Sequence, residues 1–206
     1  MRVDLDPEAV SSKDFYATLN SVVVPRPIAW VSTISADGVL NLAPHSFFTV
    51  SCVRPPMVQF TSVGRKDSLN NVEATREFVV NFATEPLFEQ VNATGTNFPA
   101  GISEFEAVGL TTEPSRTIAV PRVAESPVAL ECTLHTTLEL GDSTVVIGQV
   151  RHLAIAAEMM DGNHPDIHRL RPLARLGKNE WSTIGQVLNI TRIRYTDWPD
   201  HYHPNK

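Results

Sequence analysis

The pair Arg65-Lys66 is followed at once by Asp67-Ser68, where a short helix can begin. Two cationic side chains, a hydroxyl and the unpaired N–H groups of a helix start can converge on a single phosphate. The same residues also read as a plain helix start, with Asp67 or Ser68 as the cap and Arg65 and Lys66 solvated. Trp30, Phe47 and Phe48 can supply a flat apolar wall for a ring, or can be ordinary core aromatics of strands. His45 is the ionisable residue nearest these aromatics in sequence, and a hydrogen-bonded structural histidine is its simplest description. No Ser/His/Asp arrangement is legible from spacing, so no catalytic residue is assigned. His164 and His168 stand at i, i+4, a metal-binding spacing on a helix. Gly162-Asn163 and Pro165 oppose a regular helix before Asp166, and no metal site is expected. His201 and His203, in a Pro-rich tail, read as solvent-exposed or packed on a partner chain.

These residues need strands and short helices to position them. Ile28 to Ile34 is β-branched and apolar, Ser35-Ala-Asp-Gly38 supplies a turn, and Val39 resumes an extended pattern towards Ser51. Pro44 denies a ladder donor within that second arm, which implies an edge position, a bulge or a break. After Arg54-Pro-Pro56, the run Met57 to Val63 reads as a third strand. A helix over Lys66 to Arg76 would turn Leu69, Val72 and Ala74 inwards, and Phe78 to Phe82 would be a buried strand. Pro86 opens a second helix to about Val91, Asn92 to Gly101 is loop, and Glu104 to Val108 is a helical turn. Val128 to Leu140, Thr144 to Leu153 and Ile184 to Arg192 complete the strand candidates. The chain is therefore mainly β with flanking helices, an antiparallel barrel rather than a doubly wound sheet. No G-x-G-x-x-G joins a strand to a helix, which argues against a Rossmann nucleotide site.

With 206 residues the chain is expected to form one domain over 1–206, with a core of about 15–192 and a tail of 193–206. A net charge of −6, with no concentrated basic stretch, argues against nucleic acid as a partner. Arg65-Lys66 and the set Arg169, Arg171 and Arg175 are local basic spots that suit one small anion. No apolar run reaches the ~20 residues of a bilayer span, so no membrane role is expected. The start of the chain carries Asp4, Asp6 and Glu8 rather than a signal-peptide pattern, and a cytoplasmic location is the expectation. Cys52 and Cys132 are two isolated thiols, too few for a disulfide framework or a zinc site.

Five motifs occur in order: Arg26-Pro-Ile-Ala-Trp-Val-Ser-Thr33, Asn41-Leu-Ala-Pro-His-Ser-Phe-Phe48, Ser51 with Pro55-Pro56, Lys66-Asp-Ser-x-x-Asn71 and Glu77-Phe-Val-Val-Asn81. In order and spacing this set resembles the flavin-reductase-like, FMN-binding split-barrel family. That family includes flavoredoxin-like proteins and the reductase components of two-component monooxygenases. Leu173-Ala-Arg-Leu-Gly177 with Trp181 is similar to the family's late Arg-x-Gly-(Gly)-x-x-Tyr element, so the likeness extends over roughly residues 15 to 192. The resemblance implies a split β-barrel, a Greek-key antiparallel barrel, with FMN as cofactor. It implies that Trp30, Ser32 and Thr33 lie near the flavin and that Pro44, His45, Ser46 and Phe47 wrap its ring, largely through backbone. Ser51, Lys66, Asp67, Ser68 and Asn71 would surround the ribityl phosphate or hold its loop, and Arg175 and Trp181 would close the site.

The implied activity is that of a homodimeric NAD(P)H:flavin oxidoreductase, passing reduced flavin or electrons to a monooxygenase or another acceptor. Such a flavin does the hydride chemistry itself, while the protein supplies geometry and hydrogen bonds. Two departures from the family pattern stand out. Ser143 occupies the place after Gly141-Asp142 where many relatives carry His, and Trp181 and Lys178 replace a common Tyr and a second Gly. Ser143 keeps open a second reading, a non-catalytic FMN electron carrier or flavin sensor without a nicotinamide site. A split-barrel module that no longer binds flavin is a third.

Overall fold

The computed structural model describes residues 1–99 and 101–198. His201 and His203 lie outside the described residues. Helix α1 (Ser12–Val22) precedes β1 (Arg26–Pro27), β2 (Ala29–Ile34), β3 (Leu40–His45), β4 (Phe48–Cys52) and β5 (Met57–Val63). Helix α2 (Asp67–Thr75) leads into β6 (Glu77–Phe82), followed by α3 (Phe88–Ala93), α4 (Glu104–Val108), β7 (Thr112–Glu113) and β8 (Arg122–Val123). The long hairpin β9 (Val128–Leu140) and β10 (Ser143–Ile155) comes next, then β11 (Met160–Asp161), β12 (His164–Pro165), α5 (Ile167–Leu170), β13 (Ala174–Arg175) and β14 (Trp181–Ser182).

Seven strands form one antiparallel sheet in the order β3-β2-β6-β9-β10-β5-β4. Laid flat, its two edges would stand roughly 29 Å apart at the usual interstrand spacing. Yet the edge strands β3 and β4 are joined only by Ser46 and Phe47, a link that reaches about 10 Å. The sheet must therefore curl until its edges meet, and the Thr61 N–H, donating to the Phe47 carbonyl at 2.9 Å, carries the β4–β5 ladder into that link. This is a split barrel of antiparallel strands with flanking helices, as the sequence leads one to expect.

Alternation along β2 divides the interior into two cores. Ala29 and Val31 face the barrel centre with Phe60, Phe78, Val80 and Val146, and α2 closes one end with Leu69 and Val72. Ala74, expected on that inner face, is exposed. Close packing in the centre is visible at Gly148, where a Cβ would lie 2.3 Å from the Phe78 ring; the β9–β10 register shifts between Ile147 and Gly148. The opposite face of β2 presents Ile28 and Trp30, which pack with Leu42, Val91, Phe105 and Leu173 beneath α3 and α4.

Pro44 does fall on an edge strand, where its missing donor leaves no ladder bond unmade. Ile184 to Arg192, expected as a strand, has no regular structure. Leu188 and Ile190 there are 78% and 93% exposed, so the β-branched composition finds no sheet edge to join. His164 lies in β12 and His168 in α5, so their spacing is not a helical one. Both cysteines are free, and burial pushes the Cys132 thiol far above its ordinary range.

Candidate functional site

A cavity of about 380 Å³ opens at the seam where β3 passes into β4. Its lining includes Asn41, Ala43, Pro44, His45, Ser46 and Phe47 from that stretch, Thr61 and Val63 from β5, and Arg65, Lys66, Asp67 and Ser68 at the start of α2. Of the residues expected from sequence, Pro44, His45, Ser46, Phe47, Lys66, Asp67 and Ser68 are thus brought together.

The start of α2 differs from the simple cap reading. Lys66, not Asp67 or Ser68, is the N-cap residue, and no side chain caps the helix. The first N–H groups of α2 are left without a side-chain acceptor of their own, a standing partial positive charge beside the cavity. Lys66 adds a full charge there, whereas Arg65 is bound to Glu73 in an ion pair. Asp67, in the first turn, is the opposing charge.

Beneath this rim lies a neutral polar network. Asn41 Nδ2 donates to Ser68 Oγ at 3.1 Å and approaches Thr33 Oγ1 at 3.3 Å, and Asn71 Nδ2 donates to Thr33 Oγ1 at 3.1 Å. His45 Nε2 lies 3.3 Å from Ser68 Oγ, and its ring packs on Phe60 with centroids 4.6 Å apart. Burial, opposed by a bond to the Thr61 backbone and assisted by the Lys66 charge, lowers the His45 pKa to about 4. The imidazole is therefore neutral at pH 7, consistent with a structural histidine. Thr33 and Asn71 are placed one layer below the cavity, where they hold Ser68 and Asn41 rather than line the opening.

Trp30 and Ser32, expected beside the ring, face the second core and are wholly buried. Trp30 Nε1 donates to Thr94 Oγ1 at 2.8 Å, and Ser32 Oγ donates to the Pro121 carbonyl at 2.7 Å. Strand parity explains their place: Ala29, Val31 and Thr33 take the inward positions. Trp30 acts at one remove, because Thr94 begins a lining segment that continues through Gly95, Thr96, Asn97 and Phe98. Ser51 sits on the exposed face of β4 with its hydroxyl donating to Gln59 Oε1 at 3.0 Å, away from the cavity.

The 94–98 segment, Tyr16 on α1 and Glu104 on α4 are lining residues that sequence reading missed. A run of small hydroxyl and amide residues inside an aperiodic stretch was the available signal for the first. Glu104 carried none: its carboxylate accepts the Leu42 N–H at 2.8 Å on the free edge of β3, and burial raises its pKa.

A second chamber of about 670 Å³ adjoins the first and shares Pro44, Ser46 and Gly95 with it. Arg175 and Trp181 line this chamber, not the first. They are direct cross-strand partners on β13 and β14, which places the guanidinium 4.7 Å from the Trp181 ring centroid. Arg26 anchors this small sheet: its buried guanidinium donates to the Leu176 carbonyl at 2.8 Å and the Val23 carbonyl at 2.9 Å. Ser143 pairs with Val63, a lining residue of the first cavity, so the departure from the family pattern lies one strand away from it.

The model of the flavin reductase like domain matches residues 21–173. The chain belongs to the flavin reductase-like family. Similar family members include an uncharacterised protein of Aquifex aeolicus, 40% identical over an alignment of 168 residues that covers 79% of this chain and 86% of the relative. Among solved structures, nitrilotriacetate monooxygenase component B from Bacillus cereus aligns with a TM-score of 0.89 and 30% identity, covering 92% of this chain and 99% of that one. The 2-nitrobenzoate 2-nitroreductase NbaA of Pseudomonas fluorescens aligns with a TM-score of 0.87 and 28% identity, covering 94% and 98%. Flavoredoxin of Desulfovibrio vulgaris, at 19% identity and a TM-score of 0.78, shares the fold.

The residues present fit a flavin mononucleotide. The uncapped start of α2, Lys66 and the Ser68 hydroxyl suit a phosphate, and Asp67 is the opposing charge beside them. The outer edge of β3 at Pro44 and the Ser46 backbone that follows it face the cavity rather than a strand partner, and can meet the polar rim of a ring.

Proposed function

We propose that this protein is an NAD(P)H-dependent flavin oxidoreductase that holds FMN in the seam cavity and delivers reduced flavin or electrons to a partner such as a monooxygenase. The observation that carries the reading is the convergence of the uncapped α2 start, Lys66 and Ser68 on a cavity walled by the Pro44–Phe47 backbone, in a chain of the flavin reductase-like family. Bound FMN would supply hydride and electron chemistry. Lys66, Ser68 and the first N–H groups of α2 hold its phosphate; Asp67 orders that loop; Asn41, Thr33 and Asn71 keep the Ser68 hydroxyl in place. Pro44 to Phe47 wrap the ring, and Arg175 and Trp181 close the site from the adjoining chamber. No side chain is assigned as general base, because burial lowers the His45 pKa to about 4, which makes it a weak base, and its ring is turned onto Phe60.

The protein acts as a homodimer in the cytoplasm in this reading. The apolar side chains of Val22 and Val23 at the end of α1, and of Val50 and Val53 on and just after β4, are between 55% and 80% exposed, which supports a second copy as partner. No helix among the described residues is long and apolar enough to cross a membrane.

Anaerobic addition of NADH and NADPH to the FMN-loaded protein tests the activity. Rapid loss of the oxidised-flavin absorbance is the expected result. Ser143, one strand from the cavity at a place where many relatives carry His, favours a second reading, an FMN electron carrier. Retention of the oxidised spectrum under excess NADH and NADPH would establish the carrier and overturn the reductase.

A further inference from the structure

Glu104, at the start of α4, puts a buried carboxylate on the wall of the seam cavity. The residue is 7% exposed, and its Oε2 accepts the Leu42 N–H at 2.8 Å. Among the described residues no cation is paired with it, whereas the buried Glu131 has Arg122. An acid taken out of water with backbone donors alone is only partly compensated. Burial, opposed by the N–H groups of Leu42 and of Glu104 itself and assisted by the Asp67 charge, raises its pKa.

The other ionisable groups lining the same space are Arg65, Lys66 and Asp67 around the start of α2, His45 on β3 and Tyr16 on α1. Arg65 is committed to Glu73, and His45 is neutral at pH 7. Lys66 and the α2 start therefore stand against two acids before any ligand arrives. A phosphate monoester brings about −1.5 to −2 of further charge at pH 7. Like charges crowded into one site raise one another's pKa until one of them is neutralised. Asp67 is exposed and keeps its hydration, while Glu104 is buried and has the least solvent to support an ionised form.

We propose that Glu104 takes up a proton when the phosphate of FMN enters the seam cavity, and that it faces the phosphorylated flavin as a neutral carboxylic acid. The inference rests on FMN occupying that cavity. The proton comes from solvent, and no other bond forms or breaks. Oε2 stays the acceptor of the Leu42 N–H, so the proton falls to Oε1, and a group that could only accept becomes a donor. Glu104 is in this way a specificity-determining residue that responds to the phosphate: ionised, it repels a phosphorylated flavin, and it has no such effect on riboflavin. FMN affinity therefore falls as the pH rises, because each FMN must bring a proton in with it, and riboflavin affinity does not follow.

Calorimetric titration of FMN and of riboflavin into the flavin-free full chain at pH 7, in buffers of different ionisation enthalpy, counts the protons. FMN is expected to take up about half a proton or more beyond riboflavin. Glu104→Gln keeps an oxygen for the Leu42 N–H; it should lose that uptake and bind FMN about tenfold more tightly than the wild type at pH 8, with riboflavin unchanged. A purely structural role would instead weaken both ligands at every pH. A second readout needs no variant: in protein whose glutamate side chains carry a 13C label, the infrared difference spectrum on FMN addition should gain a carboxylic-acid carbonyl band that shifts with the label. Equal proton counts for the two flavins, an uptake that persists in Glu104→Gln, or the lack of a label-sensitive band would overturn the proposal. Failure to bind either flavin is a different result, and it would overturn the flavin assignment on which the proposal rests.

Discussion

Two buried polar clusters sit on the same barrel, and they are built in opposite ways. On β9, Glu131 is wholly buried, yet its carboxylate accepts from the Arg116 and Thr117 N–H groups, the Thr117 hydroxyl and the Arg122 guanidinium. These bonds outweigh burial and hold its pKa at about 2. Every oxygen is occupied, and the cluster ties the 113–123 loop to the sheet. Around α2, by contrast, Asn41, Thr33, Asn71, Ser68 and His45 are all uncharged, and the cluster ends on a cavity and an uncapped helix start. A saturated ionic clamp has nothing left to offer a ligand. A neutral network that stops at a rim of free donors does, and that difference, rather than burial of polar groups as such, marks the site.

The largest break in this comparison is Glu131→Gln. It leaves the buried Arg122 charge with only Glu113, half exposed and 3.7 Å away, in place of its buried partner, and urea unfolding should show a loss of about 3–5 kcal/mol, with FMN affinity unchanged in the folded fraction. Next is the pH dependence. The unfolded chain binds a proton at His45 near the ordinary 6.5, while the folded chain refuses it until about 4. Stability should therefore fall as the pH drops from 6.5 towards 4, by roughly 3 kcal/mol if that shift is fully expressed. His45→Asn should flatten the urea midpoint over this window. Glu131 contributes in a lower window, its stabilisation being present above 4.5 and lost as the pH falls towards 2. The smallest of the three effects is Ser68→Ala, which removes one donor from the site cluster. Isothermal titration should show FMN binding weakened about tenfold and folding stability lowered by only about 1 kcal/mol; a stability loss on the scale of Glu131→Gln would erase the distinction between the clusters.

The architecture was legible wherever local pattern and sheet position agree. The β-branched run at Ile28 to Ile34, the Gly38 turn and the lone Pro44 together specify a hairpin whose second arm is an edge, and Leu69 and Val72 specify the inner face of α2. Ile184 to Arg192 misled because β-branched residues favour a strand only when a partner edge exists. Within the site, Lys66 and Ser68 were legible as a basic residue at a helix start, whereas Pro44 to Phe47 came only from the family resemblance. Trp30 and Ser32 lie behind the cavity wall rather than in it because alternation sends neighbours on one strand to opposite faces, and the motif alone does not say which. Glu104 and the 94–98 segment come together with β3 only through tertiary packing, over separations that no local spacing encodes. The Glu131 clamp was invisible for the same reason, since its partners lie on an irregular loop.

The measurement closest to the central claim is a paired titration of FMN and riboflavin into the wild-type protein and Lys66→Ala. The two ligands differ only in the phosphate, so the seat of that phosphate is read directly. The account predicts that Lys66→Ala weakens FMN about tenfold or more, the worth of a charge-assisted contact, and leaves riboflavin unchanged. Equal losses for the two ligands, or no loss for either, would contradict it.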